Sequence, residues 1–208
     1  MNNPVFARLF DRCFAQDKGR GEDALRRELL SGLSGRVVEV GPGNGINFEH
    51  YPGTVEELVA IEPEPYLRRR AEEAARSGGL TVRVVDGTAA ALPLDAGEAD
   101  ALVVAGVLCS VPDQQAALAE FRRVLRPGGE FRFYEHVRSR RPGFARYQDA
   151  VSLLWPRVMG GCMPNRDTLA AIERGGFQIE RCRGFGFPVD ARGYPVAPRI
   201  LGVARAAH

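Results

Sequence analysis

Gly41, Gly43 and Gly45 fall at every second position of Val38-Glu39-Val40-Gly41-Pro42-Gly43-Asn44-Gly45, directly after a β-branched run. Glycines at that density leave a backbone bare enough for a ligand to lie against it. About twenty residues further on, Ile61-Glu62-Pro63 sets a carboxylate where it can accept hydrogen bonds from two ribose hydroxyls. A plain tight turn and an exposed loop acid are the bland alternatives for the two features.

Two classes of cofactor use a loop of this kind. A dinucleotide site wants a third glycine where Ile46 stands, and Glu62 would repel the 2′-phosphate of NADP. Glu39 discriminates further, because it precedes the glycines where a dinucleotide-binding strand is usually apolar. A carboxylate there is costly against pyrophosphate and favourable near the ammonium and sulfonium of S-adenosylmethionine. The loop therefore reads as one for a ligand without phosphate, with a nicotinamide cofactor as the rival.

A second group of residues could move a proton. Tyr134-Glu135-His136 ends a strand-like run; histidine is the side-chain type suited to proton transfer near neutral pH, which makes His136 a candidate base, and Glu135 could orient it or act directly. Against catalysis, such a pair can simply cap a neighbouring helix. His50 and His208 read as surface residues. The four cysteines, Cys13, Cys109, Cys162 and Cys182, include no C-x-x-C pair, and their wide spacing suits neither zinc nor a disulfide framework. No metal is expected, Cys109 reads as a small core hydrophobe, and a thiolate trio of Cys109, Cys162 and Cys182 for arsenite fits the spacing poorly.

The elements that must hold these residues alternate along the chain. Strands are expected at Arg36–Val40, Leu58–Ile61, Leu80–Val85, Ala101–Ala105, Phe131–Tyr134, Phe177–Arg181 and Pro198–Ala204. Helices are expected over 4–16, 22–31, Pro65–Arg76, Gln114–Leu125 and Asp167–Arg174, the fourth stopped by Arg126-Pro127-Gly128-Gly129. Strands alternating with helices specify a Rossmann-like, seven-stranded, mostly parallel α/β sheet with helices on both faces. Residues 138–165 break the rhythm with Trp155, three prolines and several glycines, and read as a cap inserted after strand five. The whole of 1–208 is expected to form one domain, with residues 1–32 as N-terminal lid helices. In such a sheet the ligand lies beyond the carboxyl ends of the strands, where the glycine loop falls.

At 208 residues, 45% hydrophobic and 26% charged, the chain is an ordinary globular length and composition. A formal charge of +2 gives no sign of a nucleic-acid or membrane partner. Lys18 is the only lysine, and with the alanine and glycine richness this points to a GC-rich genome. The N-terminus has neither a signal peptide's apolar core nor a spanning helix, so the cytoplasm is the expected compartment.

Taken together, VVEVGPGNG, AIEPEPY, GTAAALPLDAGEAD, VLCSVPD and EFRRVLRPGGEFRFYEHV resemble the class I S-adenosylmethionine-dependent methyltransferases over about residues 36–205. VLCSV, LRPGGEFRFYEHV, GCMPNRDT and PRILGVA most resemble the alkyl thiol methyltransferase family and its bacterial relatives, without the hydrophobic anchor of the human members. The resemblance implies that Glu39, Gly41, Gly43 and Gly45 line the methionyl part of S-adenosylmethionine. Glu62 would hold the ribose, with Pro63 and Tyr66 near the adenine. It implies an adenine contact after the third strand, where this chain has Gly87-Thr88-Ala89 and no carboxylate at the matching position. Ala105, Gly106 and Val107 would pass beside the sulfonium.

For the acceptor, Cys109, Trp155, Met159, Met163 and Phe144 could line an apolar pocket, with Asn165 and Arg166 either touching the acceptor or anchoring the cap. The expected activity is methyl transfer to a small molecule, first a thiol; an oxygen or ring-carbon acceptor such as a quinone or natural-product phenol is the alternative. A nicotinamide oxidoreductase and a catalytically silent cofactor-binding regulator are the more distant readings.

Overall fold

The computed structural model describes residues 7–8, 11, 21–188 and 193–206. Most of the helix expected over 4–16 lies outside them, as do Cys13 and His208. Seven strands form one sheet: β1 (Gly35–Val40), β2 (Val55–Ile61), β3 (Val82–Val85), β4 (Ala99–Ala105), β5 (Leu125–His136), β6 (Phe177–Gly186) and β7 (Pro198–Ala206). Their order is β3-β2-β1-β4-β5-β7-β6. The first five run parallel, and β7 is antiparallel to both β5 and β6. The strand order reverses between β1 and β4, which makes a crevice at their carboxyl ends.

The central strands are apolar on both faces because helices cover both. Val38, Val40, Val59, Ile61, Leu102, Val104, Phe131 and Phe133 face Leu118, Phe121 and Ile172, carried by α3 (Gln114–Val124) and α6 (Thr168–Arg174). On the other face Val37, Leu58, Ala60, Ala101 and Val103 meet Leu29 and Leu30 of α1 (Glu22–Leu30) and Ala71 of α2 (Pro65–Ser77). The helix starts are encoded locally. Glu64, Asp113 and Asp167 each accept N–H groups of the first turn of α2, α3 and α6.

Leu29 and Leu30 of α1, the second of the helices expected at the N-terminus, are buried against the sheet. Arg132 of β5 also donates to the carbonyls of Leu29 and Ser31, closing the end of that helix. Strand β5 begins at Leu125 rather than Phe131. Gly128, at φ +78°, lets the Pro-Gly-Gly turn run straight into the strand, with a register break opposite Ala99 and Ala101. β2, β6 and β7 likewise extend beyond the cores expected for them.

Residues 138–165 carry α4 (Pro142–Val151) and α5 (Trp155–Val158). Gln148 is fully buried, and its amide donates to the carbonyls of Val137, Pro164 and Pro195. One side chain thus ties the start and end of this segment to the approach to β7.

Candidate active site

Two loops meet at the reversal of strand order. Gly41, Gly43 and Gly45 have φ values of +69°, +60° and +81°, a region that side chains rarely tolerate. Part of their bareness comes from packing. A Cβ on Gly41 would lie 2.6 Å from Val107 Cγ2 in the loop after β4, and one on Gly45 would lie 2.8 Å from the Phe48 ring. Gly43 instead turns its N–H toward Glu62, donating to Oε2 at 3.0 Å.

Glu62 is buried at the end of β2, and its other oxygen accepts the N–H of Glu64 at 3.0 Å. Burial pushes its carboxyl up to about 7, against the lowering effect of those two N–H groups. Glu39 is also buried, with Asn47 donating to Oε1 and Tyr51 to Oε2. Burial pushes Glu39 to about 7 as well, and raises the Tyr51 phenol far above its ordinary value. Arg26 of α1 donates to Asn47 Oδ1 at 2.6 Å, so a chain of contacts links the helix to the glycine loop. Neither Asn47 nor Arg26 carries any local sequence signal of this role.

Asn44, inside the loop, donates through Nδ2 to Asp11, which fixes the amide's orientation; its Oδ1 is buried without a partner among the described residues. A lone buried acceptor among left-handed glycines fits a ligand that brings a cationic donor. Asp11 also accepts the hydroxyl of Tyr66 at 3.0 Å, and it was missed by sequence reasoning for lack of any motif. Pro63 and Thr88 are exposed, and Ala89 packs on the core edge. Asp86, one residue before the stretch matched to the adenine contact, is exposed and paired with Arg68 at 2.7 Å.

On the β4–β5 side, Glu135 is buried and holds the whole loop after β4. Oε1 accepts the N–H groups of Val107 and Leu108 at 2.8 and 2.9 Å, and Oε2 that of Cys109 at 3.1 Å. Glu135, expected to orient His136 or to act directly, spends its oxygens on the backbone N–H groups of Val107, Leu108 and Cys109. Gly106, at φ +73°, donates its N–H to the Tyr134 carbonyl and lets the loop turn.

Cys109, Trp155 and Met159 pack together with Cys162 and Val196, a cluster that does not include Met163 or Phe144. His136 faces the same group, with Nδ1 at 3.5 Å from the sulfur of Cys109 and 3.5 Å from that of Cys162. Trp155 Nε1 is buried without a partner among the described residues. Contact with Cys162 and burial hold the Cys109 thiol well above the usual range. Cys182 is elsewhere, in a cleft with Glu28, Arg181 and Arg183. Asn165 donates to Asp149, and Arg166 donates to the carbonyls of Leu108 and Val111, so both are engaged in anchoring the cap. His50, read as a surface residue, tucks its ring beside Asp23 at 3.6 Å, and burial lowers its pKa.

Comparison with known proteins identifies the family and the fold. Residues 38–133 match the family described as "Methyltransferase domain". Human thiol S-methyltransferase TMT1B is 32% identical over 200 residues, which cover 89% of this chain and 80% of that protein. A S-adenosylmethionine-dependent methyltransferase from Thermotoga maritima superposes with a TM-score of 0.72 at 20% identity, over 96% of each chain. Geranyl diphosphate methyltransferase, solved in complex with SAM, gives 0.70 at 14% identity, over 90% of this chain and 85% of its own.

Proposed function

The chain belongs to the S-adenosylmethionine-dependent methyltransferases, in the family that includes human TMT1B, and from that premise we propose that it methylates the sulfur of a small, partly apolar thiol. S-Adenosylmethionine is the cofactor, which removes the nicotinamide reading. Bound, it supplies a methyl group already activated by a sulfonium. The protein's share is to hold, align and desolvate the partners, and to help the acceptor lose its proton.

In this reading Glu62 accepts the ribose hydroxyls with the lone pairs that Gly43 and Glu64 leave free. Asn44 Oδ1 receives the ammonium group, and buried Glu39 adds favourable charge beneath the loop. Gly106 and Val107, fixed by Glu135, form the wall between cofactor and acceptor. Cys109, Trp155, Met159 and Val196 give an acceptor chamber that excludes water. A thiol is already a few per cent ionised near neutral pH and needs only modest help, which His136 supplies.

The single observation that supports sulfur over oxygen is the 32% identity to a thiol S-methyltransferase across 80% of its length. No helix among the described residues is long and apolar enough to cross a membrane. The cytoplasm, where thiols stay reduced, is the compartment we assign. The test measures S-adenosylhomocysteine release with alkyl thiols and their matched alcohols and phenols. We expect turnover with the thiols; turnover with the oxygen acceptors alone would keep the transferase and overturn the thiol.

A further inference from the structure

The wide spacing of the cysteines conceals a compact donor set. Cys109, His136 and Cys162 stand 27 and 26 residues apart, yet Sγ to Sγ is 3.6 Å and each sulfur is 3.5 Å from His136 Nδ1. Zinc takes sulfur at about 2.3 Å and imidazole nitrogen at about 2.0–2.1 Å, so tetrahedral angles place sulfur–sulfur at roughly 3.8 Å and sulfur–nitrogen at roughly 3.6 Å. The observed triangle has the dimensions of one face of such a site. Among the described residues these are the metal-ligating side chains that converge.

We propose that Cys109, Cys162 and His136 bind a thiophilic divalent cation, with zinc as the fitting ion, through two sulfurs and Nδ1. The donors are fixed in place by the fold. The Cys109 N–H is held by Glu135, the Met163 N–H donates to the Cys109 carbonyl at 2.8 Å, and the Cys162 N–H donates to the Met159 carbonyl. Trp155, Met159 and Val196 supply an apolar surround of the kind that keeps competing water away. Two thiols lose their protons to solvent as zinc enters, so two thiolates, a neutral imidazole and one divalent ion sum to zero charge. Arg166 and Glu135 beside the cluster carry opposite signs and leave that balance unchanged.

Three protein ligands leave a fourth position, the arrangement of zinc sites that bind a reactant. Resting on the thiol reading above, that position takes the acceptor. The thiol binds as thiolate and its proton leaves to solvent, so His136 promotes deprotonation as a ligand rather than as a base. Trp155 Nε1, buried at the same chamber and without a partner among the described residues, is a donor ready for an electron-rich sulfur.

The test titrates the reduced, chelator-treated chain with zinc against a chromophoric competitor, and repeats it with cobalt(II). We expect one equivalent bound, two protons released, and a cobalt spectrum with sulfur charge-transfer bands that shifts on adding ethanethiol and not ethanol. Cys162→Ser should weaken zinc by more than about 100-fold while Cys182→Ser does not. Circular dichroism and melting of Cys162→Ser separate lost ligation from lost folding, and His136→Ala gives a second route to the same loss. Absent binding by the reduced chain, or unchanged affinity in a Cys109→Ser, Cys162→Ser double variant, would each overturn the site. Thiol turnover undiminished in chelator would remove the cation and leave the function. Zinc binding by a chain that methylates no thiol would do the reverse.

Discussion

The two loops that meet between β1 and β4 are each held by a buried glutamate, but they are assembled on different scales. On the side proposed for the cofactor, Glu39, the glycines, Asn47, Tyr51, Glu62 and Glu64 lie within one continuous stretch, and Glu62 secures two backbone N–H groups. On the acceptor side, Glu135 secures three, and the chamber it supports draws on Cys109, His136, Trp155, Cys162 and Val196. One site is short-range and polar, the other long-range and rich in sulfur and aromatic surface. A short-range polar site can be shared across a large family, because backbone and carboxylates recognise a common cofactor. A chamber drawn from a cap can change its acceptor without disturbing that recognition.

The strongest way to break this comparison is Glu135→Ala. It strands two buried N–H groups and a part-buried third; a buried one left unpaired costs about 1–3 kcal/mol, so the chain should lose about 3 kcal/mol or more of unfolding free energy. Glu62→Ala strands two and should lose less, while abolishing cofactor binding. Urea denaturation of both variants reads the difference. Equal, small losses would mean that the Glu135 contacts do not hold the acceptor loop.

Next in size is Gly43→Val. A β-branched residue at φ +60° is strained, and the distortion would displace the N–H that meets Glu62. S-Adenosylmethionine affinity should fall by about 100-fold or more, or about 2.7 kcal/mol by calorimetry. Zinc affinity at the Cys109–Cys162 cluster should be untouched, which sharpens the separation of the two sides. Wild-type affinity for the cofactor would show that the loop is not its site.

The pH response should distinguish the cofactor side further. Glu39 and Glu62 have folded pKa values of about 7 against an ordinary 4.5. Between those values the folded chain keeps protons that the unfolded chain has released, so stability falls as pH rises from about 4.5 to about 7 and then levels. Ribose hydroxyls are accepted best by an ionised Glu62, so cofactor affinity should instead rise severalfold through about 7. Glu62→Gln should flatten the affinity profile and reduce the stability slope. A wild-type affinity that does not vary with pH would exclude ionisation of Glu62 as part of binding.

This contrast in scale also explains what could be read in advance. The alternation of elements, the Pro127-Gly128-Gly129 stop after α3, and the pairing of the glycine loop with Glu62 are local patterns, and local patterns survive in sequence. Glu39 was conspicuous as a charge within an apolar strand, although Asn47 and Tyr51, which satisfy it, were not. The Cys109–His136–Cys162 triangle was invisible, because its members meet only after β4, β5 and the cap take their places. Glu135 and His136 are adjacent in sequence but belong to different tasks, since successive strand residues point to opposite faces. His50 misled for a similar reason: a polar type in a turn says little about the helix α1 that closes over it.

The smallest expected effect concerns how the cofactor side is covered. Asp11 accepts hydrogen bonds from Asn44 and Tyr66 and pairs with Arg70 at 3.1 Å, bringing a residue from far upstream onto the glycine loop. Burial works against its ionisation, but the bonds from Asn44, Tyr66 and Arg70 outweigh it and hold the carboxyl below its ordinary value. Its contribution is therefore present above the unfolded value of 3.8 and lost as pH falls through the lower folded one. Arg70 is partly exposed, so solvent screens the pair and Asp11→Ala should cost no more than about 1 kcal/mol of stability. The same change frees the Asn44 amide to rotate, and cofactor affinity should drop by a few-fold, with faster dissociation and an unaltered choice among thiols. If acceptor preference moves as well, Asp11 reaches across both loops, and the division between a fixed cofactor side and an adaptable acceptor side is too sharp.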